Sequence, residues 1–237
     1  LMTMSSQNKF RLKGLIYQAI RLVPEVARYL DVAGTKTQAH YNRQMWLYCL
    51  SLFRGEMDAF GFIYDMTEAI ADQLAKAWNE GARAVGIEPD EFTNEDKVMI
   101  DEIIKAEYEF ILGLGSDIEA VIGVLELKDF SAQFRPRVDV WAMRYMDVVN
   151  RAKAHFGNRT KLVWRLGPSK KHCSTCSALN GIVAYAKEWE ASGVRPQSPP
   201  NKALQCGGWN CKCNLEVTTE RRTRNALQRI QGLRNGR

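Results

Sequence analysis

Long apolar runs are absent from this sequence, and proline is scarce, with 7 among 237 residues. The best apolar stretch, 59–64, has six residues, whereas a membrane-crossing helix needs about 18. The first residues, 1–7, lack a charged segment followed by an apolar one, so no secretory signal is predicted and we expect synthesis in the cytoplasm. A composition that is 46% hydrophobic and 25% charged excludes a disordered chain and indicates a folded one.

Charge and cysteine are distributed unevenly along the chain. Residues 1–134 contain 13 Lys and Arg against 21 Asp and Glu, whereas residues 135–237 contain 20 against 6. Five of the six cysteines also fall in the second region, within 41 residues. Two regions of different chemistry are the simplest organisation.

The acidic region has the periodicity of amphipathic helices, with apolar residues three and four positions apart. We expect helices over 9–30, over 38–85, from Thr93 to the break at 113–115, over 116–127, and from Pro136 to Phe156. Proline suits the first turn of a helix and glycine its end, which favours a start at Pro136 and a stop at Gly157. The Met, Trp and Phe stripes are interpreted as interhelical core rather than as a cofactor pocket.

The basic region has β character. Residues 161–166 and 214–218 are rich in strand formers, residues 187–192 predict a short helix, and Asn180-Gly181 predicts a type I′ turn. A basic helix is expected from about Thr219. The predicted fold class is α+β, with a mainly helical N-terminal region followed by a small β-rich Cys-knuckle module of zinc-ribbon type. The predicted domains are 1–135 (helical, acidic), 136–157 (connecting basic helix), 158–218 (Cys-rich β module) and 219–237 (basic C-terminal helix or tail).

The cysteines predict a metal site. Cys173 and Cys176 form a C-x2-C pair, and after a spacer of 29 residues Cys206, Cys211 and Cys213 form C-x4-C-x-C. Two thiolates separated by two residues can hold one ion, and a second group completes a tetrahedron if the chain folds back. Sulfur ligands favour structural zinc, with iron as an alternative. We expect Cys173, Cys176, Cys206 and Cys211 to bind it, with Cys213 as the alternate ligand.

Other interpretations of these cysteines remain open. Disulfides would form if the protein reached an oxidising compartment, although a cytoplasmic origin disfavours them. A thioredoxin-like redox pair needs a βαβ unit, which the sequence does not indicate. A Cys-His catalytic pair would need the two side chains opposed in space, which the adjacent His172 and Cys173 do not have to be. His172 is a further candidate ligand, whereas His40 and His155 are interpreted as ordinary helix residues.

The order of these residues resembles the C-terminal region of phage head-morphogenesis proteins, the minor head proteins of the phage Mu F-like class. The matching residues are Arg137, Trp141, Tyr145, Asn150, Trp164, His172-Cys173-x-x-Cys176-x-x-Leu179-x-Gly181, Trp189, and Cys206-x4-Cys211-x-Cys213-x-Leu215. The match covers about 137–217, and the N-terminal half agrees only in having long helices. Where the family pattern often has His-Pro-x-Cys-Arg-Cys, this chain lacks the histidine, and Cys206 is expected to take over its ligand role.

The resemblance implies a low-copy structural protein of the virion, assembled in the host cytoplasm and acting near the portal in capsid assembly, packaging or DNA delivery. Portal and capsid proteins would be its partners, and an oligomer is compatible with that role. The alternative is a sequence-nonspecific nucleic-acid-binding zinc protein, whose phosphate contacts would be Arg221, Arg222, Arg224 and Arg229. An enzyme is not expected, because no phosphate loop, nucleophile elbow, zinc-protease motif or paired catalytic carboxylates are found.

Overall fold

The computed structural model describes residues 38–209 and 211–235. The helices are α1 (Gln38–Phe53), α2 (Ala59–Arg83), α3 (Asn94–Lys105), α4 (Tyr108–Glu119), α5 (Leu127–Phe156), α6 (Ser174–Leu179), α7 (Ala186–Ser192) and α8 (Ala226–Asn235), with a 3₁₀ turn at Pro89–Glu91. The strands are β1 (Lys161–Arg165), β2 (Val183–Tyr185) and β3 (Asn214–Val217). The α+β class is confirmed. The predicted helix over 9–30 lies outside the described residues. Of the helices described, none combines the length and apolarity that crossing a bilayer requires.

The described chain forms two compact units. One contains residues 38–75 and 94–142, and the other contains residues 76–93 and 143–235. The unit boundaries fall inside α2 and α5 and therefore differ from the domain limits predicted at 135 and 157. The predicted limits follow the changes in charge and cysteine content along the chain. The units instead follow which residues pack together in space.

The first unit corrects the single helix predicted over 38–85. Helix α1 buries Tyr41, Met45, Cys49 and Leu52 on one side, as its periodicity predicts. Gly55 then adopts a φ of +72°, which ends the helix. Helix α2 restarts after Asp58, whose carboxylate accepts a hydrogen bond from the Gly61 amide at 2.8 Å and so caps the first turn.

Three further helix predictions in this unit are wrong. The helix expected from Thr93 is divided at 106–107, where the buried Glu107 carboxylate accepts a hydrogen bond from Trp141 Nε1 at 3.0 Å. Helix α4 then continues through the predicted break, because a Cβ at Gly115 would lie only 3.2 Å from the Phe62 ring and the missing side chain permits that close packing. The segment after Glu119 forms turns rather than the helix predicted over 116–127.

Helix α5 begins nine residues before the predicted start at Pro136, which lies inside it. The N-terminal turns carry Phe130 and Phe134, both fully buried and stacked with centroids 4.8 Å apart. Phe130 also stacks on Phe53 of α1 at 4.0 Å. Burial of these rings stabilises the added turns by more than the missing hydrogen bond at proline costs, about 3 kcal/mol.

The second unit contains a three-stranded antiparallel sheet of order β2-β1-β3. Trp164 pairs with Leu215, and Leu162 pairs with Ala184 and with Val217. The predicted strands at 161–166 and 214–218 and the predicted helix at 187–192 are confirmed within a residue or two. The turn at 180–181 is of type II rather than type I′, because Asn180 has φ −56° and ψ 127° and only Gly181 has positive φ. It joins α6 to β2, so no hairpin forms there.

A compact core lies on one side of this sheet. Trp164 and Trp189 are fully buried with ring centroids 5.8 Å apart, and Trp189 Nε1 donates to the Leu162 carbonyl at 3.1 Å. Ala226 and Ile230 of α8 are buried in the same cluster. The C-terminal helix therefore contributes to the core of the module, although it begins at Ala226 and not near Thr219 as predicted.

The segment 219–225 is tied to the sheet instead of being helical. The Thr223 amide donates to the Val183 carbonyl at 2.9 Å, and the Val183 amide donates to Thr223 Oγ1 at 3.0 Å. Arg222 Nε also donates to Glu188 Oε2 at 2.9 Å. These bonds satisfy backbone groups of β2 that would otherwise be exposed at a sheet edge.

The Arg222–Glu188 pair gives a prediction for the pH dependence of stability. The hydrogen bond from Arg222 holds the pKa of Glu188 below its usual range. A carboxylate with a lowered folded pKa stabilises the fold above its unfolded pKa, about 4.3, and that contribution is lost as pH falls through the folded value. We expect Glu188→Gln to lower Tm at neutral pH, with the difference from the parent shrinking below about pH 4. Thermal unfolding followed by circular dichroism across pH measures this, and a difference independent of pH would contradict it.

Helix α5 covers the outer edge of β3 with two polar side chains. Asn150 Oδ1 accepts a hydrogen bond from the Leu215 amide at 3.1 Å, and Lys153 Nζ donates to the Leu215 carbonyl at 2.9 Å. Asn150 is fully buried. We expect Asn150→Ala to destabilise the protein by about 1–3 kcal/mol, because it leaves a buried amide without an acceptor. Urea unfolding measures the change; the exposed Asn158→Ala is the control, expected within about 0.5 kcal/mol of the parent.

Candidate metal centre

The five C-terminal cysteines come together in the second unit. Their sulfurs form two groups in which all Sγ atoms lie within 4.8 Å of one another. One group is Cys173, Cys176 and Cys206, and the other is Cys176, Cys211 and Cys213. Cys176 belongs to both and is buried. The predicted convergence of the two cysteine groups is confirmed.

Helix α6 positions the first pair of thiols. Cys173 is its N-cap residue, with extended backbone, and the Cys173 sulfur accepts a hydrogen bond from the Cys176 amide at 3.4 Å. The two residues separating the cysteines therefore form the first helical turn, which brings both sulfurs to one side. An amide donor aimed at sulfur favours the thiolate, which is the form that binds metal.

A proline-rich loop positions Cys206. Gln205 Oε1 accepts hydrogen bonds from the amide and the hydroxyl of Ser174, both at 2.8 Å, and so attaches the loop to the start of α6. After the cysteine, Gly207 and Gly208 both have positive φ. A Cβ on Gly208 would lie 2.8 Å from the Ser198 carbonyl carbon, so this position needs glycine for space as well as for conformation.

The last pair of thiols leads directly into β3. Cys211 and Cys213 are buried, and the exposed Lys212 between them gives the alternation of a strand. Gln197 Nε2 donates to the Cys213 carbonyl at 2.9 Å. A Cβ on Gly167 would lie 1.7 Å from the Lys212 carbonyl oxygen, so the chain after β1 passes this pair at backbone contact distance.

The thiols of the cluster differ in pKa because of their hydrogen bonds and their burial. Hydrogen bonds from Cys176 and Cys211, with further ones from the Gly167 amide and Trp164, lower the pKa of Cys213 to about 3. The pKa of Cys176 is raised because its thiol donates to Cys211 and Cys213. Burial raises the pKa of Cys206 to about 11. Because metal binding requires thiolates, loading this cluster releases protons and its affinity will increase with pH.

The donor set fits a soft metal ion. All six cysteines of the chain are free thiols, so the five in the cluster are available as ligands. Tetrahedral zinc with Zn–S bonds of about 2.3 Å places its sulfurs about 3.8 Å apart, which lies inside the 4.8 Å within which the sulfurs of each group are found. The cluster can therefore hold a metal ion, and thiolate ligands suit zinc or iron.

The histidines lie outside the sulfur groups, and three of the four predicted arginine contacts are exposed. His172 is half-buried beside Cys173 but belongs to neither sulfur group, and His155 packs on Trp78 with centroids 5.4 Å apart. Of the four predicted nucleic-acid contacts, Arg221, Arg224 and Arg229 are exposed. Arg222 is bound to Glu188, so this arginine has a structural partner that the sequence did not indicate.

Sequence reasoning missed residues that support the sulfurs. Gly167, Gln205 and Trp164 lie around the cluster, and the buried Trp164 Nε1 has no oxygen or nitrogen partner within the described chain. Trp164 also contributes to lowering the pKa of Cys213. Gly167 is marked in the sequence by its position directly after a strand and before Pro168, and Trp164 is one of the residues that carry the family resemblance. Gln205 is not distinguishable from an ordinary loop residue.

Compared with protein-family models, with curated proteins and with solved structures, the chain matches none of them. What the protein does must therefore be inferred from the chemistry of its cysteine cluster, from the charge of its surface and from the order of residues along the chain.

Proposed function

We propose that this chain is a minor head protein of a phage or prophage, of the head-morphogenesis class, whose C-terminal module is held closed by one structural zinc ion. The observation that carries the proposal is the convergence of Cys173 and Cys176 with the cysteines at 206–213. The same cysteines, with Trp164, Trp189 and Leu215 at their spacings, carry the resemblance to that family. In this chain all three of those apolar residues pack in the core next to the sulfurs.

The zinc site is structural in this proposal. A catalytic zinc keeps one coordination position open for water, and a set of four thiolates leaves none. The sheet has only 12 residues in its three strands, and so small a module gains much of its folding free energy from bound metal. Cys173, Cys176, Cys206 and Cys211 would hold the ion, with Cys213 as the alternate. This arrangement supports a non-enzymatic role.

The protein would act close to the portal, in assembly, packaging or DNA delivery, with portal and capsid proteins as partners. Quantitative mass spectrometry of purified particles tests this. Particles produced by a strain that encodes the protein are expected to contain it at low copy number, and a strain lacking the gene should yield particles that are incomplete or lack DNA. Recovery of the protein only in the free fraction, with particles of normal composition, would contradict the proposal.

One observation favours the alternative function, a sequence-nonspecific nucleic-acid-binding zinc protein. Arg221, Arg224 and Arg229 are exposed near the C-terminus, in a region with 20 Lys and Arg against 6 Asp and Glu. Each phosphate contact contributes about 0.9 to the slope of log K against log salt concentration. We expect the triple change of these arginines to glutamine to reduce that slope by up to about 3 on duplex DNA.

A matched control removes three exposed cations from the acidic region, Arg43, Lys97 and Lys128, by the same change to glutamine. Fluorescence anisotropy at several salt concentrations measures both variants. Equal slopes for the two triple variants would show that the C-terminal arginines do not contact phosphates, and would remove the alternative function while leaving the head-protein proposal intact.

A further inference from the structure

One tryptophan of the chain is exposed, and it lies between two of the clustered cysteines. All six tryptophans are among the described residues, and Trp209 alone is exposed, at 47%. By contrast, Trp78, Trp164 and Trp189 are fully buried. Exposed indoles are frequent at contact surfaces, because one side chain supplies a large, flat and rigid apolar area. Trp209 is used neither by the core nor by the zinc site and is therefore a candidate contact for a partner.

The indole is held by a tight turn, here called the tryptophan turn (206–209). The Trp209 amide donates to the Cys206 carbonyl at 3.0 Å, which closes the turn. A Cβ on Gly207 would lie 2.9 Å from Trp209 Cδ1 and 3.3 Å from its Nε1, so the pyrrole edge of the ring lies close against this glycine. The ring is consequently displayed on a preformed turn, which lowers the ordering cost of binding.

A second segment, 168–172, runs between the same two points of the module as the chain that carries the tryptophan turn. At one end, a Cβ on Gly167 would lie 1.7 Å from the Lys212 carbonyl oxygen, so the two backbones are in contact. At the other end, the sulfurs of Cys173 and Cys206 lie within 4.8 Å of each other. Five residues span at most about 18 Å, so the segment 168–172 stays close to the tryptophan turn.

Both stretches of chain carry cations and no acidic residue. Residues 167–173 and 206–213 contain no Asp or Glu, and their cations are Lys170, Lys171 and Lys212. All three ammonium groups belong to exposed residues, and no carboxylate of the described chain lies within ion-pair distance of them. The first carboxylate that follows in the chain, that of Glu216, lies 3.9 Å from Arg165 Nε instead. The exposed indole therefore shares this end of the module with three uncompensated positive charges.

We infer that Trp209 stacks on an unpaired base of single-stranded nucleic acid, while Lys170, Lys171 and Lys212 contact the flanking phosphates. Every base has a flat face that can stack on an exposed indole, and the phosphates on either side of it are anionic. An apolar partner would match the indole but would gain nothing from the lysines. The site lies on a different part of the chain from the C-terminal arginines, and the inference goes beyond both functions proposed above.

Fluorescence anisotropy of the full-length, zinc-loaded protein with a labelled short oligothymidylate and with a labelled duplex tests the inference. Trp209→Ala is expected to weaken binding of the single strand about tenfold or more. It should leave binding of the duplex unchanged, because duplex bases are already stacked on one another. Trp209→Phe keeps an aromatic face and should retain most of the affinity. Lys212→Gln should reduce the slope of log K against log salt concentration on the single strand by about 0.7.

Matched controls come from the same compact unit. Val217→Ala changes another exposed apolar side chain, and Lys187→Gln removes an exposed cation from α7, so both should bind like the parent. Zinc content and near-ultraviolet circular dichroism are measured for each variant before titration. If Trp209→Ala lowers the zinc content, the comparison of Lys212→Gln with Lys187→Gln decides, and equal salt slopes overturn the inference.

Two other results would also overturn it. One is a Trp209→Ala variant that is folded and binds oligothymidylate as tightly as Val217→Ala does; if that variant also enters particles less efficiently, the indole contacts a protein instead. The other is a parent protein without saturable binding of the single strand up to about 100 µM. The zinc analysis and the salt slopes on duplex DNA are separate measurements, so failure here is distinguishable from failure of either proposed function.

Discussion

Replacement of Cys176 by serine is expected to abolish metal binding and to unfold the C-terminal module. Cys176 is the only cysteine that belongs to both sulfur groups, and its sulfur is buried among the other four. A serine hydroxyl is a poor ligand for zinc at this position, so neither group keeps three thiolates. Structural zinc contributes on the order of 10 kcal/mol to the folding of small modules at neutral pH, so the expected loss is large.

Metal analysis of freshly reduced protein measures this effect, together with near-ultraviolet circular dichroism of the packed Trp164 and Trp189. The parent should contain about one equivalent of zinc and lose the tryptophan signal when a strong chelator is added. The variant should contain almost none and lack the signal from the start. A parent protein that retains its signal without any metal would refute the zinc site.

Two further cysteine variants provide internal controls. Cys49→Ala changes a buried cysteine of the other compact unit, so its zinc content should equal that of the parent. Cys213→Ser should retain most of the zinc, because Cys211 remains available as the fourth ligand. If Cys213→Ser loses the metal and Cys206→Ser keeps it, the ligand set is Cys173, Cys176, Cys211 and Cys213 instead.

Replacement of Gly167 by alanine is the other change with a large expected effect. The new Cβ would lie 1.7 Å from the Lys212 carbonyl oxygen and 2.4 Å from its carbonyl carbon. Both are backbone atoms, so the strand leading from Cys213 would have to move away from β1. We expect a loss of about 3 kcal/mol or more in unfolding free energy, in the range of severe overpacking, and a lower zinc affinity.

Urea unfolding of the zinc-loaded proteins gives the free energies, and competition with a chelator gives the affinities. Gly232→Ala is the matched control, since Gly232 lies in α8 and its Cβ would meet no atom within 4 Å. In a helix interior that change is expected to be neutral or to stabilise by up to about 1 kcal/mol. A Gly167→Ala variant as stable as the Gly232→Ala control would show that β1 and the cysteine strand do not lie this close.

The cysteine cluster and the sheet are directly connected along the chain. Cys213 is followed directly by β3, and β3 pairs with β1 from Leu162 to Arg165. Trp164 on β1 contributes to lowering the pKa of Cys213, and Leu162 and Val163 of the same strand are buried. Metal binding and sheet formation are therefore expected to be one cooperative event, and a variant that disturbs either should disturb both.

Helix boundaries were the least predictable part of the fold. The breaks at Gly55 and at Glu107 and the continuation of α5 through Pro136 all contradict the sequence prediction. At Gly55 the left-handed backbone conformation ends the helix, whereas near Glu107 and before Pro136 the burial of side chains decided the outcome. Phe130 and Phe134 stabilise the turns before Pro136, and the close contact of Phe62 with Gly115 favours helix where glycine alone would not.

The sequence by itself determined the chemistry of the C-terminal module. The spacing of Cys173 and Cys176, the second group at 206–213, the strand at 161–166 and the excess of positive charge are all local properties of the chain. Such features depend on residue type and short spacing, and short-range geometry fixes what they can do. The α+β class and the convergence of the cysteines followed from them.

Only the tertiary structure decided which residues surround the sulfurs and which cations remain exposed. That Cys176 is common to both sulfur groups, that Gly167 meets Lys212, and that Arg222 is bound to Glu188 all depend on contacts between residues at least 30 positions apart. Such contacts arise when the chain buries its apolar residues, and many different long-range pairings are compatible with the same local pattern. For that physical reason the candidate ligands could be named from the sequence, whereas the residues that surround them could not.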